Sequence, residues 1–162
     1  MHPTDADGAT LSRRTLLAGL GAGIWMTAKA EPTLLPPAVS LVDQLSDALR
    51  RGGPLLVMVS LEGCPFCKVA RENYLLPLRR EQGLAVVQLD MRSSLRVTDF
   101  QGRSQTHDEL IRRWSVRIAP TVLFFGTGGR EVAERLVGGY IPDFYGAYLD
   151  ERLQLARASL QR

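Results

Sequence analysis

The sequence predicts an α/β fold, with one four-stranded mixed sheet flanked by helices on both faces. Three observations predict it. A continuous apolar run, Leu55 to Leu61, leads through a helical stretch to a second apolar run, Leu84 to Asp90, the order of a right-handed parallel crossover. Two further strand-like segments, Val122 to Phe125 and Arg130 to Val137, flank Gly126-Thr127-Gly128-Gly129, the composition of a hairpin turn. Helical apolar spacing stands before the first strand and after the last.

Residues 1–30 read as an export signal and are set aside from the fold. A polar stretch ends in Ser12-Arg13-Arg14-Thr15-Leu16-Leu17, and about a dozen apolar residues follow. Ala28-Lys29-Ala30 then puts small residues at the two positions a signal peptidase reads, so cleavage is expected near Ala30-Glu31. The apolar run is short of the roughly 20 apolar residues a membrane-spanning helix needs, so cleavage is the expectation and an uncleaved membrane anchor the less favoured alternative. The pair Arg13-Arg14, the glycines at 19, 21 and 23 and the late Lys29 resemble a twin-arginine signal. The implied compartment is the bacterial periplasm, where disulfides persist.

Residues 31–39, with Pro32, Pro36 and Pro37, predict an extended linker ahead of a domain spanning 40–162. Ser40 is placed to cap a helix that runs to Arg51, with Leu41, Val42, Leu45, Ala48 and Leu49 on one face and Gly52-Gly53 as the stop. Pro54 introduces the first strand. Pro65 suits the first turn of a helix from Cys64 to Arg80, where its missing N–H costs nothing, and Pro77 should kink that helix. Met91 to Gln105 is polar and predicts irregular chain. Thr106 and Glu109 have capping-box spacing for a short helix through Trp114, whose apolar face is Leu110, Ile111 and Trp114. Pro142 opens a last helix to Leu160, with Phe144, Ala147, Tyr148 and Leu155 on its buried side.

Composition narrows the function classes. The 162 residues are 45% hydrophobic and 23% charged, the balance of a soluble globular protein. The net charge of +3 falls to +2 without residues 1–30, which hold three basic and two acidic groups. That bias is too weak to argue for nucleic acid. Two histidines and two cysteines cannot make a four-ligand Cys-rich zinc site. No metal or cofactor is expected, and the chain is expected to be a monomer.

Cys64 and Cys67 are the only cysteines, three apart, directly after the first strand. Thiols at this spacing reach each other across the first turn of a helix, in a bond that closes readily and stays open to attack. Cys64, at the helix N-terminus, meets unpaired N–H groups that favour negative charge and is the candidate nucleophile. Cys67, one turn further in, is the candidate resolving thiol. Pro65 and Phe66 set the turn between them, and Phe66 can form part of an apolar docking surface. Glu62 is read either as a nearby base or as an exposed strand-end charge. Lys68 and Arg71 favour a thiolate or simply form a polar helix face. His107 is read as structural or exposed.

The strand, the Cys-x-x-Cys at a helix start, Ala119-Pro120-Thr121 before the third strand, the hairpin and the glycine pair Gly138-Gly139 together resemble the thioredoxin superfamily over Ser40 to Leu160. The resemblance implies a cis bond before Pro120, which would lie against the cysteine pair, and a backbone at Ala119 that pairs with an extended substrate segment. The export signal, the insertion around Gly102 and Val137-Gly138-Gly139-Tyr140 are similar to exported bacterial thioredoxins of the SoxW type. Two departures stand out. Gly-Cys-Pro-Phe-Cys replaces Trp-Cys-Gly-Pro-Cys, and Met58 and Gln88 replace a buried carboxylate and its lysine partner. The resemblance implies a reductase of disulfide-bearing periplasmic proteins, recharged by a membrane thiol electron donor. A DsbA- or DsbC-like oxidase or isomerase is the alternative, and a fixed structural disulfide or metal-carrier cysteine pair is the third reading.

Overall fold

In the computed structural model the described residues are 33–139 and 142–161. The export signal, with Arg13 and Arg14, and Tyr140 lie outside them. Ser40 caps α1 (Leu41–Arg50): its hydroxyl accepts the Asp43 N–H at 3.4 Å and donates to the Asp43 carboxylate at 2.6 Å. Leu41, Leu45 and Ala48 are buried on the sheet, whereas Val42, expected on the same face, is exposed.

β1 (Leu55–Ser60) is central. It pairs parallel with β2 (Ala85–Asp90) and antiparallel with β5 (Thr121–Gly126), and β6 (Arg130–Val137) closes the far side in the order β2-β1-β5-β6. This is the predicted mixed sheet, with helices on both faces. Side chains alternate between two cores. Leu56, Met58, Val86, Val122 and Phe124 pack with Cys67, Leu75 and Leu76 and with Tyr145, Leu149, Leu153 and Ala156 of α5 (Pro142–Leu160). Leu55, Val57, Val59, Val87, Leu89, Leu123 and Phe125 pack with α1 and with Leu110 and Ile111 of α4 (His107–Arg113). Burial on both faces is why β1 reads as an unbroken apolar run, and each such side chain contributes about 1.5–3 kcal/mol.

The helical connection from β1 to β2 has three parts. α2 (Pro65–Val69) carries the cysteines, a π-helical turn covers Ala70–Leu75, and α3 (Leu76–Glu81) follows. The Leu76 N–H bonds the Arg71 carbonyl, five residues back. The expected disturbance at Pro77 therefore takes the form of a widened turn just ahead of the proline, where bonding has already shifted register.

Three expectations need correction. Residues 33–39 are extended but are no free linker: Leu35 and Ala38 are buried, the Ala38 N–H donates to the Gln88 carbonyl at 2.8 Å and the Gln88 N–H to the Pro36 carbonyl at 2.9 Å. The segment covers the outer edge of β2, so the folded domain begins before Ser40. The stretch expected to be irregular contains a small antiparallel hairpin, β3 (Arg96–Thr98) and β4 (Ser104–Thr106). On α5, Phe144, Ala147, Tyr148 and Leu155 are exposed, and the buried stripe is Tyr145, Leu149, Leu153 and Ala156. Both sets have helical spacing and lie about 100° apart around the axis, so periodicity alone could not choose between them.

The hairpin is built on Asp99, which is 1% exposed. Its Oδ1 accepts the N–H groups of Gln101 and Arg103 and its Oδ2 accepts from Arg103 Nε, Gln105 Nε2 and an Arg113 guanidinium nitrogen, all at 2.9–3.0 Å. Burial opposes the charge, but these donors together hold its carboxyl below the usual carboxylate range. His107, 1% exposed, is structural: its Nδ1 accepts the Asp90 N–H at 3.2 Å, which leaves Nε2–H to donate to the Ala38 carbonyl at 3.0 Å. Trp114 packs on Phe125 with ring centroids 4.9 Å apart.

Candidate active site

The site forms where α2 starts at the end of β1. Cys64 is the N-cap of α2, and Pro65 takes the first helical position. The Cys64 sulfur accepts the Cys67 N–H at 3.2 Å, satisfying one of the orphan donors of the helix start. Cys64 is half-buried, and its Sγ lies 4.0 Å from the Ala119 carbonyl oxygen. The Ala119–Pro120 bond is cis. Around it, the Thr121 hydroxyl donates to the Ile118 carbonyl at 2.7 Å and the Gly138 N–H to the Pro120 carbonyl at 2.7 Å. A Cβ at Gly139 would come 3.1 Å from Pro120 Cγ and 3.4 Å from Phe66 Cβ. A side chain there would crowd the place where α2, the proline loop and the end of β6 meet. Phe66 itself is 49% exposed beside this junction.

Cys67 lies behind Cys64, 1% exposed in the core cluster that includes Met58 and Tyr145. Both cysteines are free thiols. Burial, and next the hydrogen bond with Cys64, push the Cys67 thiol up to about 11, against the opposing donors Leu61 N–H and Ser60 hydroxyl. Burial raises the Tyr145 phenol as well, reinforced by the neighbouring Cys67 and Tyr74.

A cleft of about 950 Å³ opens beside Cys64. Its walls include Ser60, Glu62, Arg71, Gln88 and Asp90. Arg71 donates to Gln88 Oε1 at 3.2 Å, and Gln88 Nε2 donates to Asp90 Oδ1 at 2.7 Å. Met58, fully buried, is in register with Gln88 across the β1–β2 pair. An apolar side chain thus stands in the core beneath Cys67, and the polar chain Arg71–Gln88–Asp90 stands along the cleft.

A family model for a thioredoxin-like domain matches residues 41–152. The chain belongs to this thioredoxin-like family. Solved structures with a similar fold include DsbH oxidoreductase, at 16% identity and a TM-score of 0.51 over 96% of this chain and 95% of that one. A mutant thioredoxin from Halobacterium salinarum NRC-1 is 21% identical, with a TM-score of 0.47 over 77% and 96% of the two chains. Oxidised thioredoxin O2 from Arabidopsis thaliana is 17% identical, with a TM-score of 0.46 over 70% and 93%. At these identities the likeness is one of fold. No curated protein matches the sequence.

In this thioredoxin-like domain, Cys64, Cys67, Pro65, Phe66, Ala119 and Pro120 come together at one end of the sheet. Glu62 is exposed on the cleft wall, and Lys68 lies on the same wall. His107 belongs to the α4–β2 junction and not to the thiol pair. Sequence reasoning missed Ser60 and Asp90. Ser60 is a hydroxyl that closes an otherwise apolar strand four residues before Cys64, and that break in pattern was the available signal.

Proposed function

We propose that this thioredoxin-like domain is a periplasmic thiol–disulfide oxidoreductase that reduces disulfides of partner proteins. The observation that carries the reading is the pairing of a half-exposed Cys64 at the α2 N-cap, beside the Ala119–Pro120 loop, with a sealed Cys67 one turn behind it. Cys64 as thiolate attacks a partner disulfide, forming a mixed disulfide and releasing the first partner sulfur. Cys67 then attacks Cys64 Sγ, the second partner thiol leaves, and the pair ends as a disulfide. A membrane thiol donor returns the two electrons. Ala119 and Phe66 offer backbone and apolar contact to the substrate segment.

The reductive direction is supported by what lies between β2 and β5. One short hairpin and a seven-residue helix are too little for the helical domain of DsbA-type oxidants. Export through the twin-arginine signal at Arg13-Arg14, with cleavage near Ala30-Glu31, is supported by the N-terminal sequence. Resemblance to exported thioredoxins of the SoxW type supports the same compartment.

The test is a Cys67→Ser variant incubated with periplasmic extract. It should accumulate mixed disulfides through Cys64 that a reductant releases, and Cys64→Ser should capture none. Failure to trap any protein, where a matching thioredoxin variant succeeds in the same extract, would sink the protein-reductase reading.

A further inference from the structure

In the exchange chemistry proposed above, Cys67 must lose a proton before it can attack, yet it is 1% exposed. The core residue beneath it is Met58, whose thioether cannot take that proton. Burial raises the thiol, so at pH 7 Cys67 holds its proton and must be relieved of it for the second attack. Two residues beyond Met58 on the same strand, Ser60 turns to the same face of the sheet, and its hydroxyl acts against the rise of the Cys67 thiol. Ser60 is itself 3% exposed, yet it forms part of the cleft wall, so this residue stands between the sealed thiol and the cleft.

The strand register identifies what stands next along that path. Ser60 is the last residue of β1 and pairs with Asp90, the last residue of β2. The Met91 N–H donates to the Ser60 carbonyl at 2.8 Å, so the register holds to the end of the pair. Side chains at paired positions of parallel strands leave the same face of the sheet, here the face that carries Met58 and Gln88. Asp90 lines the cleft as well, with Oδ1 held by Gln88 Nε2 at 2.7 Å. The other charged groups on the walls are Glu62, Lys68, Arg71 and Arg92. Cys67 also neighbours Tyr145 of α5 in the core.

We propose that Cys67 loses its proton through the Ser60 hydroxyl to cleft water and on to the Asp90 carboxylate. Ser60 relays and Asp90 accepts. The Cys67 S–H proton passes to Ser60 Oγ while the Ser60 hydroxyl proton leaves through water to Asp90. Cys67 sulfur forms a bond to Cys64 Sγ, and the Cys64–partner S–S bond breaks. The partner leaves as a thiolate and takes up the proton that Asp90 returns through solvent. Two electrons move from the thiol pair to the partner.

One equivalent of dithiobis(nitrobenzoate) tests the route, because its coloured thiolate is released once by Cys64 attack and once by Cys67 attack. Ser60→Ala and Asp90→Asn should slow the second release at pH 7 by roughly ten- to a hundredfold and leave the first within about twofold. The deficit should shrink toward about pH 9 as hydroxide replaces the relay. Ser60→Thr, which keeps the hydroxyl, should restore most of the rate, and the double variant should be no slower than the slower single one. Unchanged second release in both variants, or equal slowing of both releases, overturns the route while leaving the exchange reading intact. A wild-type chain with no second release overturns both.

Discussion

Replacing Asp99 by Asn removes one charge and little volume, and the structure sets the cost. The side-chain carbonyl of Asn can still accept the Gln101 and Arg103 N–H groups, as Oδ1 of Asp99 does. Its NH2 then takes the place of Oδ2 and faces three donors, Arg103 Nε, Gln105 Nε2 and the Arg113 guanidinium. The arginines are 58% and 46% exposed and can turn to water, so each loss lies near 0–1 kcal/mol. Gln105 is 5% exposed and its Oε1 lacks a partner, so its amide can turn over to accept from the Asn NH2, and exchanging a charge-assisted bond for a neutral one costs about 1 kcal/mol. The expected total is roughly 1–3 kcal/mol, read as a urea midpoint lowered by about 0.5–1.5 M at unchanged slope. The pH dependence has a definite sign. The folded carboxyl lies below its ordinary value of 3.8, so its contribution is complete above that value and is lost as pH falls through the folded value. The gap between wild type and Asp99→Asn should therefore be full at pH 6 and close below about pH 4. A loss under about 0.5 kcal/mol, or a gap that is flat across that range, would refute this account of the hairpin.

Three further outcomes are expected. His107→Leu strands the Asp90 N–H and the Ala38 carbonyl and should cost about 2–4 kcal/mol in thermal or urea unfolding. At Gly129, with φ +70°, an added Cβ would fall 2.4 Å from Phe100 Cγ, whereas at Gly128, with φ +73°, it meets open space. Gly128→Ala should therefore lose only the left-handed backbone term of about 1–2 kcal/mol, and Gly129→Ala about 1–3 kcal/mol more by differential scanning calorimetry. Phe66→Ala, at an exposed position, should leave stability within about 1 kcal/mol while raising KM for a protein disulfide severalfold in a steady-state reduction assay.

Much of the fold was legible because its signals are local. β1 is buried on both faces, so five consecutive residues, Leu55 to Val59, had to be apolar, and Gly126 to Gly129 announced the hairpin wherever the rest of the chain went. The Thr106–Glu109 capping box formed as its spacing implied. What was not legible depends on partners distant in sequence. Asp99 organises the β3–β4 hairpin through an arginine fourteen residues away. Which stripe of α5 is buried was settled by the sheet it meets, since Phe144-Tyr148-Leu155 competes with Tyr145-Leu149-Leu153 on equal periodicity. At the site, Cys64 and Cys67 declared themselves by spacing. Ser60 and Asp90 gain meaning only when the β1–β2 register sets them side by side above a cleft.

The most direct measurement is the equilibrium of the Cys64/Cys67 pair against glutathione redox buffers, read by alkylation and mass on the purified chain with its fold monitored in parallel. A reversible two-electron couple near thioredoxin's, roughly −270 mV, with the fold intact, is the expected result for a reductase. A couple near −120 mV would reverse the direction of electron flow proposed here, and a pair that changes state only when the chain unfolds would contradict thiol–disulfide exchange altogether.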